Sequence, residues 1–431
     1  MARHPIGPLE GMAPFLTPEH ARLAERLMGI RDIWSSQPEP VSDDHARAAA
    51  RPLLRLLHAH NTFAPVAARD LRGICVTREL LAGVSPLADT LFAVQALVAL
   101  PLLAAGAPAQ QAQWLGRLLE GEAIGAFAMT EPGAGSDVAA IATTARQDGG
   151  RWVLDGEKHL ISNAGIADVY LVFAVTAPDQ QRQRLSAFLV PADTPGLAFT
   201  GAQLTAAPHP LGRIRLSDCR VPAGALVGDA GMGMAIGLGT LDQMRPSVGA
   251  AACGMAARAL AAAIKHTQSR SQFDTTLASM PVVRDSIARM ATDLDAARLL
   301  TYRAAWQADT MPGRTTRSGV RIGRSLRNRS PNACSADRSR TSCSLPHRTP
   351  ILHIIPSRQH WSQTRLDGGF GENDFQPVDS PQAVKFFFRI QRVAIGNRRS
   401  RVLCDRLLSG DGFFFQFFLG PGTKDLDDSS Q

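Results

Sequence analysis

Apolar positions in the first 120 residues recur three and four apart, the spacing that lines one face of a helix, in a background rich in Ala, Leu and Arg. Thr17-Pro18-Glu19-His20 sets a capping hydroxyl before a proline at the first helical position. Ser42-Asp43-Asp44 offers a second start of the same kind. Trp114, Leu115, Leu118 and Leu119 continue the helical spacing. The most membrane-like run, 91–106, contains Gln95 and Pro101 and is shorter than the ~20 residues a span needs. It is expected to be a buried helix, with no membrane span.

From about residue 123 the period shortens. Apolar runs at 123–129, 141–146, 151–154, 169–174, 185–190, 212–216 and 220–221 read as strands separated by turn residues. Asp148-Gly149-Gly150 reads as a hairpin turn. Helical spacing returns over 232–269 and 283–308, which implies two long antiparallel helices joined by 270–281. The expected class is α+β: an N-terminal α-helical domain (1–121), a middle β-barrel domain (122–229) and a truncated C-terminal helix bundle (230–312).

After residue 312 the composition changes abruptly. The last 119 residues hold four alanines but ten of the chain's 18 phenylalanines, and 314–348 is Ser/Arg-rich without a period. A disordered basic tail is one reading. The favoured one is a reading-frame slip. Codons can be chosen for 323–330 that, read one base on, encode an Ala/Glu-rich helical stretch.

Charge follows the same division. Residues 1–312 carry 27 Lys+Arg against 28 Asp+Glu, and residues 313–431 carry 19 against 10, so the overall +8 belongs to the tail. The main body therefore gives no reason to expect a nucleic-acid partner. Six cysteines without repeated short spacing declare neither a disulfide framework nor a zinc site. Reduced thiols and a cytoplasmic setting are expected, and the first residues lack the layout of a secretion signal. His58 and His60, with no carboxylate nearby, read as surface residues rather than metal ligands.

Two segments carry candidate chemistry. Thr130-Glu131-Pro132-Gly133-Ala134-Gly135-Ser136-Asp137 follows a strand, with glycines that let backbone approach a ligand and hydroxyls that can bond a polar ring edge or a phosphate. It is neither a Walker loop nor GxGxxG. On its residues alone it is a ligand loop with no ligand named, or an ordinary surface turn. About 25 residues on comes Asp155-Gly156-Glu157-Lys158-His159-Leu160-Ile161-Ser162-Asn163-Ala164-Gly165, read as a second loop. Two such loops meeting beside a β-domain suit a flat, partly polar ring system.

Met-Thr-Glu-Pro-Gly-Ala-Gly-Ser-Asp at 129–137, followed by Gly-Glu-Lys-x-x-Ile-Ser-Asn-x-Gly at 156–165, resembles the acyl-CoA dehydrogenase family. The resemblance runs from about residue 15 to 312. It implies FAD as cofactor and α,β-dehydrogenation of an acyl-CoA as the reaction. It places Phe127, Met129 and Thr130 along the flavin, with Ser136 beside the FAD pyrophosphate and the acyl-CoA. Leu160, where the family commonly has Trp, Ile161 and Ser162, where it commonly has Thr, complete the cradle, and the Ser162 hydroxyl faces the flavin N5. Asp242 and Arg245 match acyl-CoA contacts, although three apart on a helix they read by themselves as a surface ion pair. Arg270, Gln272 and Phe273 match the stretch that reaches a neighbouring subunit's FAD, so a homo-oligomer is expected. Gln272 replaces a usual Thr and Pro281 a usual Gln. An electron-transfer flavoprotein or similar acceptor is the implied partner.

The family's proton-abstracting Glu cannot be placed. No Tyr-Glu-Gly-Thr type stretch follows the two long helices, and Gly371-Glu372-Asn373 lacks its flanks. The alternative position, just before the Arg of the acyl-CoA helix, holds Met244. No catalytic residue is therefore assigned, and this chain is expected to be inactive. The competing readings are a same-fold flavin monooxygenase or acyl-CoA oxidase, and a non-catalytic FAD- or CoA-binding protein.

Overall fold

The computed structural model describes residues 9, 11–31, 33, 39–180, 183–205 and 207–311. The expectations for 313–431, including the frame slip and Glu372, lie outside them.

The N-terminal layer is helical and tightly capped. In α1 (Pro18–Gly29) the capping box uses His20 where Glu is usual: Nδ1 accepts from the Thr17 backbone N–H at 2.9 Å. The same ring reaches Asp70 through Nε2 at 3.0 Å, and Asp70 caps α3 (Leu71–Val84) by accepting from Gly73 N–H. Ser42 caps α2 (Asp43–Ala59) as expected. The apolar run falls in α4 (Pro86–Ala105), one of two described helices long and apolar enough to cross a membrane, and most of it is buried inside the protein. Its Gln95 is fully satisfied. The amide nitrogen donates to the carbonyls of Leu118 and Ala123, and the amide oxygen accepts from Gly125 N–H at 2.6 Å. That amide fixes the start of β1 and hence the loop beyond it.

The middle region is one mixed sheet in the order β6-β7-β3-β2-β4-β5-β8, with β1 paired in parallel to β4. The strands are β1 (Gly125–Ala128), β2 (Thr144–Asp148), β3 (Arg151–Ser162), β4 (Val169–Val175), β5 (Leu185–Pro191), β6 (Leu197–Ala202), β7 (Leu211–Pro222) and β8 (Leu226–Val227). The expected barrel thus takes the form of a sheet with β6 and β8 as its end strands. β4 is buried at every position. Tyr170, Val172 and Ala174 face one core, while Val169, Leu171, Phe173 and Val175 face another, as period-two alternation requires when both faces are covered. The β2–β3 turn uses Gly149 and Gly150 at positive φ, the geometry a two-residue hairpin demands.

The stretch 155–162, expected as loop, is the continuation of β3. Its pairing with β7 shifts register between Leu154 and Gly156 and again between Lys158 and Ile161, and these bulges break the alternation a strand normally shows. The two short runs expected at 212–216 and 220–221 are likewise one strand, β7.

Two long helices follow, α5 (Gly233–Ser269) and α6 (Pro281–Thr310), joined through the hairpin β9 (Ser271–Gln272) and β10 (Thr275–Thr276). They dock on α3. Gly254 on α5 approaches the Glu79 carbonyl so closely that a Cβ would overlap it. Arg298 Nε on α6 donates to Glu79 Oε1 at 2.7 Å, and the Tyr302 hydroxyl donates to Oε2 at 2.9 Å. Asp309 accepts from the first backbone amides of α3, Leu71 and Arg72, both at 3.1 Å.

Candidate functional site

The two motif segments meet at the end of β1. The His159 backbone N–H donates to the Thr130 carbonyl at 2.9 Å, joining the first segment to β3. Beneath that joint lies Lys158, fully buried. Its Nζ donates to Glu131 Oε1 at 2.8 Å, to the Phe173 carbonyl at 2.6 Å and to the Met129 carbonyl at 3.3 Å. Glu131 in turn accepts from the Thr143 and Ala142 backbone amides and from the Thr143 hydroxyl. Burial pulls the Lys158 ammonium down to about 8, while Glu131 opposes the shift. Burial raises Glu131, but Lys158 and the amide donors outweigh it and hold the carboxyl below its ordinary value. This clamp was not assigned a role from sequence, although both residues stand in the quoted motifs.

Around the clamp, Thr130 and Ser162 are nearly buried, and neither hydroxyl bonds another described residue. At Gly133 and Gly135 an added Cβ would meet nothing within 4 Å, so the first segment borders open space. Ser136 lies exposed on the same turn. Phe127 tilts against Phe173 with ring centroids 4.9 Å apart. Leu160 stands half-buried on a bulge with φ of 55°. Two of the expected cradle residues turn their side chains elsewhere. Met129 packs into the core toward Gly237 of α5, and Ile161 is buried in the opposite core, so each can offer the site only its backbone.

Asp242 and Arg245 form the ion pair expected on α5, with Arg245 Nε donating to Asp242 Oδ1 at 2.6 Å. Met244 beside them is 3% exposed, part of the core that also holds Tyr302. Arg270, Gln272 and Phe273 are not brought to the cradle. They lie at the far end of α5, roughly 40 Å from Asp242 along a helix rising 1.5 Å per residue. All three are exposed, and Phe273 is 89% so.

Among the described residues no group of three or more His, Cys, Asp or Glu could hold a metal ion. Cys75, Cys219 and Cys253 are free thiols in the interior, and burial pushes Cys219 up to about 11 and Cys253 up to about 12, which leaves them unreactive.

A helical layer, a mixed sheet and a long helix pair, with paired ligand segments at the end of β1, define a recognisable class of α+β protein. Residues 126–219 match the acyl-CoA dehydrogenase middle domain and residues 231–321 the acyl-CoA dehydrogenase C-terminal domain. The mitochondrial short-chain specific acyl-CoA dehydrogenase of Mus musculus is 38% identical over 222 residues, 51% of this chain and 54% of that protein. The butyryl-CoA dehydrogenase of Megasphaera elsdenii superposes with a TM-score of 0.65 at 26% identity, over 72% of this chain and 85% of its own. A glutaryl-CoA dehydrogenase of Mycobacterium smegmatis in complex with FADH2 gives 0.64 at 26% identity, over 74% and 87%. The chain belongs to the acyl-CoA dehydrogenase family. It spans about half the length of the curated relatives it matches.

Proposed function

We propose that the chain is an FAD-binding, acyl-CoA dehydrogenase-like oxidoreductase whose parent reaction is the α,β-dehydrogenation of an acyl-CoA thioester. The observation that carries this reading is the junction of 127–137 with 156–165, locked by the Lys158–Glu131 pair, in which the Thr130 and Ser162 hydroxyls bond no other described residue and the turn at Gly133 and Gly135 borders open space. That donor set fits a flavin. When bound, the flavin supplies the acceptor for a hydride. Thr130 and Ser162 orient the polar edge of the ring, and Phe127 and Leu160 give it apolar walls. Ser136, on the open Gly-rich turn, faces the pyrophosphate and the thioester ligand. Asp242 and Arg245 hold one another in place to meet the acyl-CoA.

Arg270, Gln272 and Phe273 are too far along α5 to serve their own cradle. They serve a neighbour's FAD in a homo-oligomer, a role that the exposure of Phe273 supports. An electron-transfer flavoprotein, or a similar acceptor, takes the electrons in the parent reaction.

The chain is proposed to bind without turning over. Met244 occupies one position of the base, and the three buried carboxylates among the described residues are all engaged. Asp89 is paired with Arg78, Glu131 with Lys158 and Glu79 with Arg298. None is placed to accept an α-proton.

The test is to purify the full chain, titrate it with FAD, determine its oligomeric state and assay enoyl-CoA formation with an artificial electron acceptor. Yellow protein without enoyl-CoA is expected. A yellow oligomer that dehydrogenates acyl-CoA overturns the inactivity, and a chain that takes up no FAD overturns the cofactor reading. Leu160, smaller than the aromatic usual there, favours one second reading. A less covered flavin admits dioxygen, so peroxide or an oxygenated product would mark a same-fold oxidase or monooxygenase. Salt-sensitive binding of an acidic partner that is lost on deleting residues 313–431 would mark a non-catalytic FAD- or CoA-binding protein.

A further inference from the structure

Leu160 sits where β3 carries one residue more than β7, and the bulge turns its backbone N–H off the ladder. That N–H donates to Gln203 Oε1 at 2.7 Å. The bond fixes the side-chain amide, with its oxygen toward Leu160 and its NH2 toward His159, whose Nε2 is in hydrogen-bond contact. An amide NH2 can only donate, so His159 Nε2 must be the bare nitrogen of a neutral ring. Both residues are anchored through their backbones. Gln203 N–H donates to the Leu211 carbonyl and His159 N–H to the Thr130 carbonyl, each at 2.9 Å.

We propose that Gln203 and His159 are positioning residues for Leu160: the Gln203–Leu160 bond and a proton on His159 exclude one another, so the bulge is held only while His159 is neutral. A protonated His159 presents an N–H to the amide. The amide has a single oxygen and can meet the imidazolium only by turning that oxygen away. Leu160 N–H then faces an NH2 and loses its acceptor. The charged groups that act on the ring are Arg213 on β7 and Glu157 on its own strand. Burial and Arg213 lower its proton affinity and Glu157 opposes them, which puts the release on the acid side of 6.5. The consequence for cofactor binding rests on the proposed placement of Leu160 over the flavin.

The experiment is amide hydrogen exchange of the full chain without FAD between pH 5 and 8, corrected for intrinsic rates, on the wild type, Gln203→Glu and His159→Gln. In the wild type, protection at Leu160 should fall about tenfold as His159 gains its proton, the loss of one hydrogen bond. Gln203→Glu places an acceptor oxygen toward each neighbour and should keep protection flat, and His159→Gln, which does not titrate, should do the same. Wild-type protection that is independent of pH, or a fall equal in all three proteins, overturns the proposal. FAD titration on the same set separates the two readings. Affinity that falls as pH is lowered from 8 to 5 in the wild type alone supports both. An exchange switch in a chain that binds no FAD at any pH is a failure of the cofactor reading, not of the switch.

Discussion

Lys158 and Glu131 meet at 2.8 Å in the interior, and through them the two ligand segments are held to each other and to β4. Breaking one side of such a pair strands the other charge. Lys158→Met is expected to lower stability by about 3–5 kcal/mol, and Lys158→Met with Glu131→Gln to recover part of the loss. Urea unfolding of the two variants checks this, and a loss under about 1 kcal/mol for the single change, the range of an exposed pair, would contradict a buried clamp.

The same carboxylate sets an acid limit. Glu131 is held below its ordinary 4.5 in the folded protein. Its contribution is therefore present above pH 4.5 and lost as pH falls through the lower folded value. Glu131→Gln should lower stability at pH 7 and flatten the decline below pH 4.5, read as urea midpoints across pH 3 to 7. An unchanged acid slope in the variant would place the acid sensitivity elsewhere.

Glu79 behaves in the opposite sense. Burial raises its carboxyl above the ordinary value, even though Arg298 and Tyr302 pull it down. The folded state binds that proton more tightly than the unfolded chain does, so stability falls as pH rises from 4.5 through the folded value. Arg298→Met removes the main opposing attraction and pushes Glu79 higher still. The variant should lose about 3–5 kcal/mol near neutral pH and less at pH 5, where the stranded carboxyl is closer to being protonated. An equal loss at pH 5 and pH 8 would show that the pair does not govern the docking of α6.

Two glycines of α5 should respond oppositely to the same change. Gly239 has nothing within 4 Å of its would-be Cβ, so Gly239→Ala is expected to stabilise the helix by about 0.5–1 kcal/mol. Gly254 faces backbone, where a Cβ would overlap the Glu79 carbonyl. Helices α3 and α5 would have to part, and Gly254→Ala should destabilise by about 1–3 kcal/mol. Thermal unfolding of the two variants, compared with the wild type, decides between them. A shift of the same sign in both would remove the close approach from the account of docking.

The helices and the buried strands were legible because their apolar positions keep a period. α5, α6, β4 and β5 fall within a few residues of their expected bounds. β6 was missed because all six of its positions are exposed or half-exposed without alternation, so no face announces itself. The second segment passed for loop because a strand with two register shifts, carrying Gly156 at one and Leu160 at the other, has no continuous period to read. Of the site, the Gly-rich turn and the motif hydroxyls were visible as residue types. The Lys158–Glu131 clamp was not, since a charged residue in a sequence gives no sign that it will be fully buried. Gln203 left no trace either: its role depends on a bulge 43 residues away.

Leu160 separates backbone from side chain at the site. Its φ of 55° belongs to the left-handed region, which a residue with a Cβ adopts only at a cost. Leu160→Ala discards the side chain and keeps that strain. Leu160→Gly discards the side chain and relieves it. The glycine variant is therefore expected to be more stable than the alanine variant by about 1 kcal/mol, the reverse of the order in a helix or an ordinary strand. If the Leu160 side chain covers the flavin, both variants lose it equally, and FAD affinity should drop by the same factor in each. Urea midpoints and FAD titrations on the pair read the two effects independently. Alanine more stable than glycine would show that the bulge relaxes, and unchanged FAD affinity in both would remove Leu160 from the cradle.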